Sequence, residues 1–194
     1  MIGEDEVRRA GVSPSALFIL TGAPGSGKTA VLNRLRDQFA CVDEPAREIL
    51  AEQRSTGGRG TWDQDPSLFV HLLLQRSIDN YETARRLGSP VVFDRGIPDC
   101  IVYAERAGVD SRPGLEAAAT YRYHPHVLFI EPWEEIYETD EERVMTFEAT
   151  VPFSESLKEA YGRAGYVFDI VQRGSISDRA ASVRAAVELH LSTI

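Results

Sequence analysis

The chain has few cysteines, no long apolar run and no excess of positive charge, and each absence excludes a class of protein. Cys41 and Cys100 form no CxxC or metal-like spacing, which argues against a disulfide framework and predicts reduced thiols. No apolar run approaches the ~18 residues of a membrane span, and the first residues carry no apolar signal segment. A formal net charge of -9 gives no electrostatic reason to bind nucleic acid or an anionic membrane. We therefore expect a cytoplasmic protein with neither of those partners.

The remaining composition is that of one ordinary globular domain. Hydrophobic residues make up 43% and charged residues 26% of 194 residues, enough for a single well-filled core. We expect residues 1–14 to be a polar tail and residues 15–194 to form the domain. Whether it is a monomer or a homodimer stays open at this stage.

Apolar runs alternate with helix-like stretches along the chain. Runs in which apolar residues follow one another, without polar residues at every second position, are typical of strands buried on both faces. Helices are predicted after the glycine-rich loop, over residues 67–87, and near the C-terminus where Val183, Val187 and Leu191 recur. This alternation predicts an α/β three-layer domain with a mainly parallel sheet and ligands at the carboxyl ends of its strands. The predicted strands are Leu17 to Leu20, Val91 to Phe93, Val127 to Ile130 and Tyr166 to Val171, with a weaker fifth around Phe39 to Val42.

A phosphate-binding loop lies between the first strand and the first helix. The segment GAPGSGKT, residues 22–29, fits GxxxxGK[ST] at every fixed position, and its context is the one that this motif requires. Backbone N–H groups and the helix N-terminus would hold phosphate oxygens, Lys28 would reach the outer phosphates, and the Thr29 hydroxyl would join a Mg²⁺ shell. ATP and Mg²⁺ are therefore the predicted cofactors. The predicted cofactor-binding residues are Gly22, Ala23, Pro24, Gly25, Ser26, Gly27, Lys28, Thr29 and Ala30.

The run VVFDRG distinguishes among proteins that carry such a loop. The pair Asn-Lys of a guanine motif occurs nowhere in the sequence, and Asp94 is followed by Arg95 rather than by a water-activating glutamate. Arg95 beside the phosphates would act as an electrostatic clamp, which favours phosphoryl transfer to a bound acceptor. Asp94 is predicted to be a water-mediated Mg²⁺ ligand or a local proton acceptor; alternatively, it only caps the next helix.

Four motifs together resemble a known family. GAPGSGKT, EPARE (44–48), FDRGIPD (93–99) and EPWEEIYETDEER (131–143) are similar to predicted ATPases and kinases, AAA-domain-type ATP-binding proteins akin to the ribosylnicotinamide kinase domain of NadR-type proteins. The resemblance runs in order over about residues 15–170. It implies the strand order 2-3-1-4-5 of small-molecule kinases. A more distant similarity is to deoxynucleoside kinases, on the basis of Glu44-Pro45 and Asp94-Arg95.

The resemblance assigns further residues to an acceptor site. It implies that Glu44 is the base for an acceptor hydroxyl, although an acidic residue in the first turn of a helix also simply favours the helix dipole. Arg47, one turn on, would face the same cleft or lie in solvent. Asp99 would lie near the acceptor pocket or begin the next helix. Residues 132–147 form the candidate lid, whose single arginine, Arg143, is a further catalytic candidate. One arginine argues for an uncharged or cationic acceptor, or for slow hydrolysis.

Two further features resolve less. Trp62 could stack on a substrate ring or serve in packing. His124 and His126, without a third ligand, are predicted to be structural rather than metal-binding.

Three functions remain open on the sequence alone. The favoured one is a Mg²⁺-ATP phosphotransferase acting on a hydroxyl of a small, nucleoside-like molecule. The others are an NTP-hydrolysing ATPase or GTPase that regulates through a protein partner, and a nucleotide-binding switch with negligible turnover.

Overall fold

Five parallel strands form the centre of the molecule, in the order β2-β3-β1-β4-β5. A computed structural model describes residues 16–137 and 145–192. The strands are β1 (Leu17–Gly22), β2 (Ala40–Val42), β3 (Val91–Asp94), β4 (His126–Ile130) and β5 (Val167–Ile170). The helices are α1 (Lys28–Leu35), α2 (Pro45–Thr56), α3 (Pro66–Ala84), α4 (Ile97–Arg106), α5 (Arg112–Thr120), α6 (Phe147–Arg163) and α7 (Ile176–Leu191), with a 3₁₀ turn at Glu134–Ile136. The predicted fold class and strand order are confirmed.

Helices cover the sheet on both faces because alternate residues of its central strands point to opposite sides. Leu17, Ile19 and Phe129 face a cluster that includes buried residues of α3, α4, α5 and α6. Phe18 and Leu20 face a second cluster with α1 and α7. These central-strand side chains are essentially inaccessible to solvent, as expected of strands that read as continuous apolar runs.

The observed elements differ from the predicted ones at their ends and at one edge. Strand β2 begins at Ala40, so Phe39, predicted to start that strand, lies one residue before it. Helix α3 starts one residue early, because Asp65 caps it by accepting the Leu68 N–H, and it ends at Ala84 rather than residue 87. Strand β5 is an edge strand with 51% of Val167 exposed, although its apolar run predicted burial on both faces.

Parallel pairing brings the ends of β1 and β3 together. Leu20 pairs with Asp94, and Gly22, which ends β1, pairs with Ile130 at the end of β4. The glycine loop and the Asp94-Arg95 pair therefore meet at the carboxyl ends of the strands, as the sequence predicted. Among the described residues, none of the helices has both the length and the apolar character needed to cross a bilayer. The predicted tail, residues 1–14, lies outside the described residues.

Candidate active site

The phosphate-binding loop joins β1 to α1 through a backbone that requires glycine. Gly22 has φ 149°, and a Cβ there would lie 2.1 Å from the carbonyl oxygen of Ile130 on the neighbouring strand. Gly27 precedes α1 in the left-handed conformation with φ 84°. The loop thus turns tightly enough to aim the N-terminus of α1 into the cleft, which is the geometry that holds phosphate groups. Contact of residues 22–30 with a nucleotide remains a prediction.

Lys28 is folded onto the loop that precedes it. Its ammonium donates to the carbonyl oxygens of Gly22 at 3.0 Å and Ala23 at 2.9 Å, and it lies 3.4 Å from the Ser26 hydroxyl. Burial and the positive charge of Arg95 lower the pKa of Lys28 to about 8. A polyphosphate placed on the loop would favour the protonated form, so the site is electrostatically suited to an anion.

Asp94 and Thr29 together fit a Mg²⁺ ion. The Thr29 hydroxyl donates to one oxygen of Asp94 at 3.1 Å, while the other buried oxygen has no hydrogen-bond partner among the described residues. Burial raises the pKa of Asp94 to about 6, although the Lys28 ammonium pulls it down. A buried carboxylate with an unused oxygen beside a hydroxyl is a set of hard oxygen donors, which is what Mg²⁺ prefers. The bond to Thr29 also argues against a role for Asp94 in helix capping alone.

Arg95 links two carboxylates at the base of the cleft. Its Nε donates to Glu44 at 2.7 Å, and its Nη1 donates to Asp99 at 2.9 Å and to the Gly22 carbonyl at 3.0 Å. Arg95 has φ 75°, a left-handed backbone conformation that is rare and unfavourable for residues other than glycine. Such strain, held by a buried ion-pair network, is typical of functional sites.

Glu44 lies in the wall of the cleft and does not cap its helix. It precedes α2, but its side chain pairs with Arg95 and, at 3.2 Å, with Arg47 instead of the helix N–H groups. Burial alone would raise the pKa of Glu44, but the charges of Arg95 and Lys28 outweigh it and lower the pKa to about 2. Glu44 is therefore an ionised hydrogen-bond acceptor at any physiological pH.

Of the two places predicted for Asp99, the structure shows the first turn of α4, where its carboxylate accepts the Gly96 N–H. It lies behind Arg95, only 2% exposed, instead of facing an acceptor pocket. Its carboxylate accepts hydrogen bonds from the Thr21 hydroxyl, Arg95, the Gly96 N–H and the Tyr161 hydroxyl. With both oxygens used, Asp99 positions Arg95 rather than offering a group to a ligand.

A cavity of about 760 Å³ opens from the phosphate-binding loop. Glu44 and Arg47 line it together with Lys28 and Thr29, so that of the two places considered for Arg47 the structure shows the cleft. Trp62, which the sequence left undecided, also lines it and is 39% exposed. Met145 and Thr146 of the candidate lid line it as well. Sequence reasoning missed other parts of the wall, because no motif marks them: Leu50, Arg54, Asp63, Phe69, Tyr103, Arg106 and Phe153. Arg143 and most of the central part of the candidate lid lie outside the described residues.

Arg179 of α7 is a second residue that the sequence did not reveal. It is 4% exposed, and its Nη1 donates to the Ser26 carbonyl at 3.0 Å, so it supports the phosphate-binding loop from behind. Its guanidinium lies over the Trp133 ring at 5.7 Å, and both residues line a cavity of about 250 Å³ beside β4 and β5. The sequence did not indicate this contact, because Arg179 and Ser26 are 153 residues apart along the chain.

Replacing Arg95 by Met is expected to destabilise the fold by about 3–5 kcal/mol, because Glu44 and Asp99 would remain buried without their cation. Urea unfolding followed by circular dichroism measures this. Arg112→Met, at a guanidinium 82% exposed, is the matched control and should leave the unfolding midpoint unchanged. Equal midpoints for both variants would contradict the assigned role of Arg95.

Comparison with known proteins agrees with this architecture. Residues 17–179 match a family model described as an AAA domain. No curated protein sequence matches the chain. The solved structure of NadR protein in complex with NR is similar with a TM-score of 0.64 and 19% identity, covering 93% of this chain and 52% of that one. Thymidylate kinase from Candida albicans is similar with a TM-score of 0.61 and 15% identity, covering 89% of this chain and 91% of that one. Thymidylate kinase from Ehrlichia chaffeensis has a TM-score of 0.58 and 14% identity, covering 89% of this chain and 98% of that one.

These structures share the fold of this chain, which spans about half the length of the NadR protein. At identities below 20% the likeness concerns architecture: a phosphate-binding-loop kinase fold with a five-stranded parallel sheet. The family match covers most of the sequence and includes the loop described above. The chain belongs to this family of AAA domains and has a P-loop kinase fold.

Proposed function

We propose that the protein is a Mg²⁺-ATP-dependent phosphotransferase that moves the γ-phosphoryl group to a hydroxyl of a small, nucleoside-like molecule. One observation carries the proposal. A single cavity has the phosphate-binding loop on one side and an ionised, inward-facing carboxylate, Glu44, on another. Because donor and acceptor would share that space, transfer between them would need no further large rearrangement of the described residues.

The nucleotide would lie along the loop and over α1. Its phosphates would meet the N–H groups of residues 22–29, and Lys28 would leave the loop carbonyls to reach them. Its base would enter the smaller cavity, where Trp133 offers a flat apolar surface beside Arg173 and Arg179. Thr29 and Asp94 would hold Mg²⁺, which when bound neutralises phosphate charge.

The acceptor would occupy the aromatic end of the large cavity. Trp62, Phe69 and Tyr103 meet edge to face there, each pair with ring centroids 6.0 Å apart. Such walls suit a planar ring, and a volume near 760 Å³ is that of a site for a compound of nucleoside size.

The charged residues that line this cavity affect which charge the acceptor can carry. The sequence argued for an uncharged or cationic acceptor from the single arginine of the candidate lid. However, Arg47, Arg54 and Arg106 also line the cavity. A nucleoside monophosphate is therefore tested beside the nucleoside itself.

The chemistry assigned to the chain is positioning and charge stabilisation. The acceptor oxygen forms a new bond to the γ-phosphorus as the bond to the bridging oxygen of ADP breaks. Glu44 accepts the hydrogen bond of the attacking hydroxyl and, late in the step, its proton, which then passes to solvent. Lys28 and the loop N–H groups stabilise the charge on the phosphoryl oxygens.

The test is ADP release from Mg²⁺-ATP, measured alone, with nucleosides and with nucleoside monophosphates. We expect one acceptor class to raise the rate well above the basal value, with a phosphorylated product seen by mass spectrometry. A rate unaffected by every acceptor but raised by protein from a lysate would instead support the regulatory NTPase. Tight ATP binding without ADP release would support the switch.

A further inference from the structure

Three of the four histidines of the chain meet at the far end of the sheet from the phosphate-binding loop. His126 begins β4, and His190 lies in the last turn of α7. Their rings are 4.3 Å apart, and His124 lies against His190 at 4.6 Å. The loop begins at Gly22, which pairs with Ile130 at the carboxyl end of β4. His126 lies four residues before Ile130, so about 13 Å of strand separates the cluster from the loop end of the sheet. The proposed phosphotransfer makes no use of this cluster.

Asp169 of β5 completes the group. Its two oxygens face different histidines: one lies 3.0 Å from Nδ1 of His126 and the other 2.7 Å from Nε2 of His190. Since His126 pairs with Val167, Asp169 lies two residues along the neighbouring strand and on the same face as His126. One donor atom from each of three elements thus converges, all within 4.8 Å of one another.

We propose that His126, Asp169 and His190 form a binding site for a divalent transition-metal ion of the Zn²⁺ class. Two imidazole nitrogens and one carboxylate oxygen are a ligand set that such ions favour over Mg²⁺ or Ca²⁺. The ion would take the place of the contacts between the imidazoles and the carboxylate, with each imidazole in the tautomer whose ligating nitrogen carries no proton. Ligand atoms around Zn²⁺ lie roughly 3.3–3.5 Å apart, given bond lengths of about 2.0–2.2 Å, so the site needs only small side-chain shifts.

Accessibility and orientation both suit an ion taken from solution. The three side chains are 40%, 33% and 16% exposed, so the ion has a path of entry and water can complete its coordination. His124 fixes the geometry from behind: its Nδ1 accepts the backbone N–H of His126 at 3.1 Å, and its ring stacks on the buried Phe18. A fixed neighbour of this kind holds ligating side chains in place. The ion would tie α7 to β4 and β5, at the opposite end of that helix from Arg179.

The experiment uses the untagged, nucleotide-free full chain, because ATP and histidine tags chelate metal ions. Co²⁺ is titrated and followed by its visible d–d absorption, and Zn²⁺ is then added in competition. We expect one equivalent of Co²⁺ to bind, to be displaced by Zn²⁺, and to raise the unfolding temperature. Asp169→Asn, His126→Gln and His190→Gln should each weaken binding by at least about 10- to 100-fold, the effect known for outer-shell partners.

His71→Gln is the matched control, since His71 is exposed on α3. It should leave the Co²⁺ affinity unchanged. Circular dichroism spectra establish that each variant is folded, and three separate ligand variants prevent one misfolded protein from deciding the result. Absence of stoichiometric binding to the wild type, or a Co²⁺ affinity in all three folded variants equal to that of the wild type, would overturn the proposal. Failure of the phosphotransferase assay would leave it unaffected.

Discussion

Lys28→Ala is expected to lower ADP release by about 10²- to 10³-fold or more, the range known for removal of one donor that stabilises transition-state charge. The ammonium is 5% exposed and donates to the loop carbonyls of Gly22 and Ala23. It therefore lies on the loop, from which it would turn to reach the outer phosphates. Because the lowered pKa of about 8 reflects burial and the adjacent Arg95, a bound polyphosphate would be a favourable partner for its charge.

The measurement is steady-state ADP release with Mg²⁺-ATP and an active acceptor, accompanied by calorimetric titration of ATP. Lys158→Ala is the matched control: it is the only other lysine in the sequence, and its ammonium pairs with Glu131 and Glu155 at the surface. We expect wild-type turnover from that variant. Unchanged turnover in Lys28→Ala would mean that the loop does not hold the reacting nucleotide.

Patterns of neighbouring residues were enough to predict the fold class, because the signals for strands, helices and turns are short in range. Each apolar run, the glycine loop and the breaks that follow the helices act within a few residues, and alternation of strand and helix leaves few arrangements open. Strand order was reached through the resemblance rather than through residue patterns. The partial exposure of β5 was missed, although the implied strand order put that strand at an edge, because an apolar run such as Tyr166 to Val171 looks the same at an edge as in the centre.

The site divides in the same way between local and distant contacts. The loop residues and the Asp94-Arg95 pair follow from motifs, whereas the contact of Arg179 with Ser26 and the bond of Tyr161 to Asp99 join residues far apart in sequence. No spacing rule reveals such pairs. Nor did His124 and His126 reveal the third and fourth members of their cluster, since Asp169 and His190 lie over 40 residues away along the chain.

Glu44→Gln is expected to lower acceptor-stimulated turnover by about 10²- to 10⁴-fold while leaving basal ADP release and ATP affinity close to wild type. Glutamine keeps the shape of the side chain and an oxygen for Arg95, but it loses the negative charge that orients the hydroxyl and takes its proton. Since the pKa of Glu44 is lowered to about 2, the carboxylate is ionised throughout pH 5–8. Titration of Glu44 itself should therefore add no pH dependence to the ratio of wild-type to variant rates over that range.

Two measurements separate this role from a merely structural one. Glu48→Gln, one turn further along α2, is the matched control, because Glu48 pairs with Arg76 at the surface and lines no part of the cavity wall described above. It should retain full acceptor-stimulated turnover. If Glu44→Gln lowered basal and stimulated ADP release equally, the carboxylate would act through Arg95, to which it is bonded at 2.7 Å, and not on the acceptor. Selective loss of the stimulated rate is the result expected of direct contact with the hydroxyl.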